Sequence, residues 1–321
     1  MCLVLAGLPI AVYLWLLRGV GLPQRQARWT LWAALGWGAV GSGALAIATT
    51  FILDHALVGT LPDRELGMVE TAFIAPLAEE LAKGVLVIVL TMRGRVSTAL
   101  GGLRYGVACG LGFALTENFA YSIFAWASGP TSSWFAIVLL RTLFSTVVHA
   151  TATGFWGAAH AHGRLHKNLS VRRWLPALGL VGAFAIHSGW NLSLVVRDVS
   201  GDELLMTAGL TGVVVAAMIA LVVSWLAARA ESAIIRQELL AEVAERTLPK
   251  EHAWTLGSPM RRLRTAAWLP SGMDGPAYVR TALELVDARL HRRLDPAYDI
   301  LIARLRDRMR DLLLNGRLSN P

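Results

Sequence analysis

Of the 321 residues, 55% are hydrophobic and only 16% charged, with a mean hydropathy of +0.51. A chain this apolar is not an ordinary soluble domain. The net charge of +8 would suggest nucleic acid in a soluble protein, but here the basic residues sit in short loops between apolar runs, which is a membrane-topology pattern, so no nucleic-acid partner is indicated.

About seven runs are long enough to cross a hydrocarbon core, at 2–17, 29–53, 67–92, 99–126, 134–158, 174–196 and 204–228. The first lacks a basic start and a small-residue cleavage site, so it reads as a span and not a signal peptide. Trp15, Trp29, Trp126, Trp134, Trp174 and Trp225 mark the edges, as amphipathic rings at headgroup level do. The expected fold is an all-α, polytopic bundle of about seven transmembrane helices over 1–228, followed by a helical cytoplasmic tail over 229–321. Arg18, Arg25, Arg28, Arg93, Arg95, Arg164, Lys167, Arg172 and Arg173 fall in alternate loops, predicting an inner-membrane protein with its N-terminus outside and C-terminus cytoplasmic. Cys2 and Cys109 have no spacing partner and read as fillers. In the tail, alternating Arg, Glu and Leu predict solvated helices, the last starting with Asp295 as N-cap and Pro296 as first helical residue and stopping at Gly316.

Ionisable residues are segregated within the bundle. The first, second and seventh runs carry none except Tyr13, whereas the third to sixth carry Glu70, Glu79, Glu80, Lys83, Arg104, Glu117, Arg141, His149 and His187. A charge at the bilayer centre costs at least a few kcal/mol, so such groups face the bundle interior. Glu79, Glu80, Glu117, His149 and His187 share a layer near the midplane, about 13 to 24 Å from the outer edge at 1.5 Å per residue. Glu70 and Arg104 read as interfacial, and His160, His162 and His166 as solvated beyond the cytoplasmic edge.

Spacing suggests partners. Lys83 lies within a turn of both Glu79 and Glu80, so one carboxylate can pair with it while the other faces a site. Pro76 removes a helix hydrogen bond one turn earlier and predicts a kink. Glu117 shares a face with Gly102, Gly106 and Gly110, a small-residue stripe that admits a neighbouring helix, and its depth predicts an ion pair with Arg141. Asn118 can hydrogen-bond across helices. Thr142, Ser145, Thr146, His149 and Thr153 form one polar stripe facing water or a polar cavity, and His187 and Asn191 are neighbours one turn apart.

These residues resemble a known family. Glu79-Glu80-x-x-Lys83, Glu117-Asn118 at the end of Gly112-Phe113-Ala114-Leu115-Thr116-Glu117-Asn118, Arg141 with His149, and His187-x-x-x-Asn191 look like the PrsW family of intramembrane proteases, itself similar to CAAX-processing and bacteriocin-processing membrane proteases. The resemblance covers about 67–196 and implies a bacterial membrane-embedded endopeptidase acting on membrane-protein substrates; some members cut an anti-sigma factor.

The residues fit attack of water on a peptide carbonyl, with Glu80 or Glu79 as general base, His149 orienting the water, and His187 and Asn191 stabilising the oxyanion. Lys83, Glu117, Asn118 and Arg141 support them. The alternative is zinc held by His149, His187 and Glu117, with another glutamate as base; no H-E-x-x-H pair is present, and no cofactor is fixed by the sequence. There is no G-x-S-x-G and no aspartate within a span, which disfavours serine and aspartyl chemistry. Competing readings are a proton-coupled transporter and a non-catalytic scaffold; a transporter would ordinarily show repeated halves, which this sequence lacks.

Overall fold

The computed structural model describes residues 27–128, 131–262, 264–292 and 295–318, and all regular elements among them are helical. The run at 2–17 lies outside these residues. Helix α1 covers 27–57, interrupted by a π-turn at Trp37–Ser42. Helix α2 covers 63–92 with a π-turn at Glu70–Ile74, and α3 is Ala99–Ser128. Helix α4 covers 131–165 with a π-turn at Arg141–Ser145, α5 is Leu169–Ser200, and α6 is Glu203–Ala244.

Among the described residues, five helices are long and apolar enough to cross a membrane: Trp29–Leu57, Ala99–Ala127, Trp134–Arg164, Leu169–Ser200 and Glu203–Ala244. The expected number was about seven. The difference at α2 is chemical, because Glu70, Glu79, Glu80 and Lys83 make it too polar for a span judged by composition.

The chain divides into two compact units at Ser224–Trp225, within the unbroken α6. In the first unit, α3 packs against α4, and α4 against α5. The core is lined by small residues, with Ala108, Cys109, Ala114, Ala152 and Ala183 fully buried, while Phe51, Ile52, Phe124 and Val181 point outward. This is the arrangement of helices in lipid, where close backbone approach replaces hydrophobic collapse.

The α3 glycine stripe makes that approach. A methyl on Gly102, Gly106 or Gly110 would lie 2.2, 2.3 and 2.3 Å from the carbonyl oxygens of Gly157, Thr153 and His149. The stripe therefore sets α4 backbone against α3 backbone at the level of His149 and Thr153.

Helix α5 starts where the Asn168 side chain accepts from the Ser170 and Val171 amides, and it ends at Gly201 with φ of 71°, which glycine adopts without a Cβ clash. Pro76 does not simply kink α2. The π-turn precedes it, with the Ala75 amide donating to the Glu70 carbonyl, so the register shifts before the missing proline N–H. The freed Thr71 carbonyl accepts from Asn191 Nδ2 at 3.0 Å.

The second unit contains α7 (Lys250–Leu256), α8 (Gly275–Arg292) and α9 (Tyr298–Leu318) around a core that includes Ile235, Leu239, Leu256, Tyr278, Leu285 and Met309. Helix α9 begins and ends later than expected. Asp295 caps the Ala297 amide at 2.9 Å in a turn that precedes the helix, and Gly316 is passed without a break.

Candidate active site

Four helices deliver one polar cluster. From α2, Lys83 is fully buried and donates from Nζ to Glu80 Oε1 at 2.7 Å and to His149 Nδ1 of α4 at 3.0 Å. It also lies 3.5 Å from Glu79 Oε2 and 4.1 Å from the centre of the Phe113 ring of α3. Glu80, fully buried, is held on both oxygens: Oε1 also meets His187 Nδ1 of α5 at 3.0 Å, and Oε2 accepts from Thr153 Oγ1 at 2.8 Å.

Hydrogen positions follow from this network. An ammonium only donates, so His149 Nδ1 accepts and its Nε2 carries the hydrogen given to Glu117 Oε2 at 2.6 Å. Glu117 also pairs with Arg141 at 2.6 Å, the expected ion pair. Arg141 stacks over the Tyr121 ring at 3.7 Å and donates from Nε to Asn118 Oδ1 at 3.2 Å. Asn118 Nδ2 in turn donates to Thr146 Oγ1 at 2.9 Å and to the Arg141 carbonyl at 3.3 Å.

Glu79 differs from the other two acids. Its Oε2 is buried without a hydrogen-bond partner and faces His187 Nε2 at 3.6 Å. Because His187 gives its Nδ1 hydrogen to Glu80, a neutral ring presents a lone pair at Nε2. Two acceptors facing one another require a proton, a water or a cation between them.

Of the donors a metal would need, Glu79 Oε2 and His187 Nε2 are open, whereas His149 would first have to give up its hydrogen bond from Lys83 or its hydrogen to Glu117. Ligand atoms of Glu79, His149 and His187 lie within 4.8 Å of one another, and two imidazoles with a carboxylate are a donor set that zinc takes in catalytic sites. The converging acid is Glu79, where the sequence reading had put Glu117; Glu117 is instead held by His149 Nε2 and Arg141. Lys83, at the centre of the cluster, would repel a dication, and Glu80 is the counter-charge beside it.

Several expectations change. The hydroxyl stripe on α4, expected to face water or a polar cavity, has three residues that meet polar side chains in place of open water: Thr146 binds Asn118, Thr153 binds Glu80, and Ser145 accepts from Arg141 at 3.4 Å. Asn191 lies on the π-turn of α2 through Thr71, one turn from His187, and uses one of its two amide hydrogens there. His160, read as solvated, is buried, and Arg104 is buried against its neighbours as well. The sequence reading missed Thr153 as a partner of Glu80 and Phe113 as the ring against Lys83. The Gly106 stripe that brings the Thr153 backbone onto α3 was the available signal for the first.

Two of the comparisons found no match: no curated protein and no solved structure resembles the chain closely enough to count. A family model described as PrsW family intramembrane metalloprotease matches residues 26–225, which includes every member of the cluster. With four helices delivering Glu79, Glu80, Lys83, Glu117, His149 and His187 to one buried site inside that match, the chain belongs to the PrsW family of intramembrane proteases.

Proposed function

We propose that the cluster hydrolyses peptide bonds of membrane-protein substrates with Glu79 as the general base. The observation that carries this reading is the unsatisfied Glu79 Oε2 beside His187 Nε2. A water there would donate one hydrogen to each. Glu79 then takes a proton as the water oxygen bonds to the substrate carbonyl carbon, and returns it to the departing amine as the C–N bond breaks. His187 orients the attacking water, and His149 holds Lys83 and Glu117 in place. Asn191 keeps one N–H for the developing oxyanion, and Lys83 offsets the carboxylate charge. Glu80 fixes Lys83, His187 and Thr153 around the base. When zinc is bound, Glu79, His187 and a His149 released from Lys83 would hold it, it would supply a lowered water pKa and polarisation of the carbonyl, and the base would then be another glutamate in place of Glu79.

The loop charges support placing the bundle in the inner membrane with the tail in the cytoplasm. The test compares membrane-protein fragments that accumulate in cells making the wild-type chain with those in cells making Glu79→Gln, together with metal analysis of both purified proteins. The Gln variant should lose cleavage while unfolding at the wild-type temperature. Undiminished cleavage would remove Glu79 as the base, and identical fragment patterns in cells lacking the protein would return the transporter and scaffold readings.

A further inference from the structure

The second unit contains a cavity of about 390 Å³ lined by Thr255, Met260, Arg261, Arg264, Ala267 and Trp268. Its wall is built. The Trp268 ring meets His252 edge-on at 5.2 Å and lies 6.2 Å from Tyr278, His252 Nδ1 is 2.8 Å from the Tyr278 hydroxyl, and Trp268 Nε1 donates to the Arg261 carbonyl at 3.0 Å. Behind it, Gly275 admits Thr265 so closely that a methyl there would meet its side chain at 2.6 Å.

The charges around this wall are divided unequally. Arg262 interacts with Glu231, whereas Arg261 and Arg264 are exposed at the cavity and make no ion pair with a described acid. The other polar lining atoms are already committed as donors: Thr255 Oγ1 gives its hydrogen to the Glu251 carbonyl at 2.9 Å, and Trp268 Nε1 to Arg261. What remains is two guanidiniums and an otherwise apolar surface of Met260, Ala267 and the Trp268 ring, with Met260 69% exposed. Guanidinium forks match phosphate oxygens, so the lining fits one anionic group joined to an apolar body. In a chain embedded in a bilayer, the abundant molecule of that description is an anionic phospholipid.

We propose that this cavity binds an anionic phospholipid, with the phosphate on Arg261 and Arg264 and the glycerol and first acyl carbons against Met260, Ala267 and Trp268. The test uses the full chain in a zwitterionic detergent, with dihexanoyl phosphatidylglycerol, dihexanoyl phosphatidylcholine and inorganic phosphate as probes, read by native mass spectrometry and saturation-transfer NMR. Phosphatidylglycerol should bind, and phosphatidylcholine at least about tenfold more weakly. Arg261→Gln with Arg264→Gln should lower phosphatidylglycerol binding by about tenfold or more. Met260→Glu, which leaves both guanidiniums and gives them a carboxylate, should do the same without disturbing folding, so the proposal does not depend on one variant. Equal binding of the two lipids, or unchanged binding in either variant, overturns it. Displacement of phosphatidylglycerol by an equal concentration of inorganic phosphate also overturns it, in favour of a soluble phosphate as occupant.

Discussion

Two regions of this protein bury glutamates among cations, and they do so to different ends. In the second unit, Glu242 is fully buried and saturated: Oε1 is paired with Arg289 and takes Arg306 at 2.8 Å, while Oε2 takes Arg306 and Thr247, each at 2.8 Å. In the membrane unit, Glu80 has both oxygens held by three donors, Lys83, His187 and Thr153, but its chain neighbour Glu79 keeps one buried oxygen without a hydrogen bond. A carboxylate whose lone pairs are all taken is a clamp. One with an oxygen that accepts no hydrogen bond beside an imidazole lone pair can accept a proton from a third molecule.

The comparison breaks most severely at the base. If Glu79 is open because it reacts, Glu79→Gln should lower cleavage by about 10²- to 10⁴-fold, the usual worth of a positioned base, and should barely move the unfolding temperature. Single-turnover assays on a cleaved substrate, alongside thermal unfolding in the same detergent, would measure both. A variant that loses stability in proportion to activity would make Glu79 another clamp.

Glu80→Ala should show the reverse signature first. It takes from the fully buried Lys83 ammonium its nearest carboxylate and from the Thr153 hydroxyl its acceptor, and removing one partner of a buried pair costs about 3–5 kcal/mol. Expression and unfolding temperature should fall sharply, and activity should fall with them. Replacing Glu80 and Lys83 together by Gln and Met should recover part of the stability and none of the activity.

How much of this was legible in the sequence depends on whether the information is local to one helix. Periodicity places Glu79, Glu80 and Lys83 on one arc, His187 one turn from Asn191, and the glycines of α3 in a stripe, and all of these hold. Which neighbouring helix meets which side chain depends on helix rotation and tilt, which one sequence does not encode. Glu79 and Glu80 were therefore interchangeable candidates until His187 and Thr153 were seen to fill Glu80. Likewise Glu117, the acid of the zinc alternative, has its Oε2 held by His149 and Arg141, while Glu79 is the acid that converges with the two imidazoles. The π-turn before Pro76 was unreadable because proline announces only a missing N–H, not the register shift that absorbs it. The polarity that marks α2 as functional also disqualifies it as a span by composition.

The tail clamp predicts a smaller effect with a definite pH sign. Burial alone would raise the Glu242 carboxyl, but hydrogen bonds from Arg306 and Thr247 and the charges of Arg306 and Arg289 hold it below the usual carboxylate range. A depressed folded-state value means this stabilisation is present at neutral pH and is lost as acid drives the pH below about 4. Glu242→Gln should cost about 2–4 kcal/mol at neutral pH, toward the lower figure because Arg289 and Arg306 reach solvent, and the variant should show a shallower acid limb. Hydrogen exchange on α8 and α9 would report it. Equal acid sensitivity in both proteins would assign the pH dependence to other carboxylates.

The smallest expected effect tests whether Asn191 belongs with the clamps or with the open site. Its amide satisfies the Thr71 carbonyl that Pro76 leaves free, so Asn191→Ala should cost about 1 kcal/mol of stability, the net worth of one hydrogen bond. A role in carrying the oxyanion adds a second loss, confined to kcat. Asn191→Ser retains a hydroxyl donor on a shorter side chain, so a rescue of stability without kcat would separate the bond to α2 from the N–H offered to substrate. If kcat and stability return together, Asn191 acts only through the π-turn, and among the residues of the cluster the oxyanion falls to Lys83.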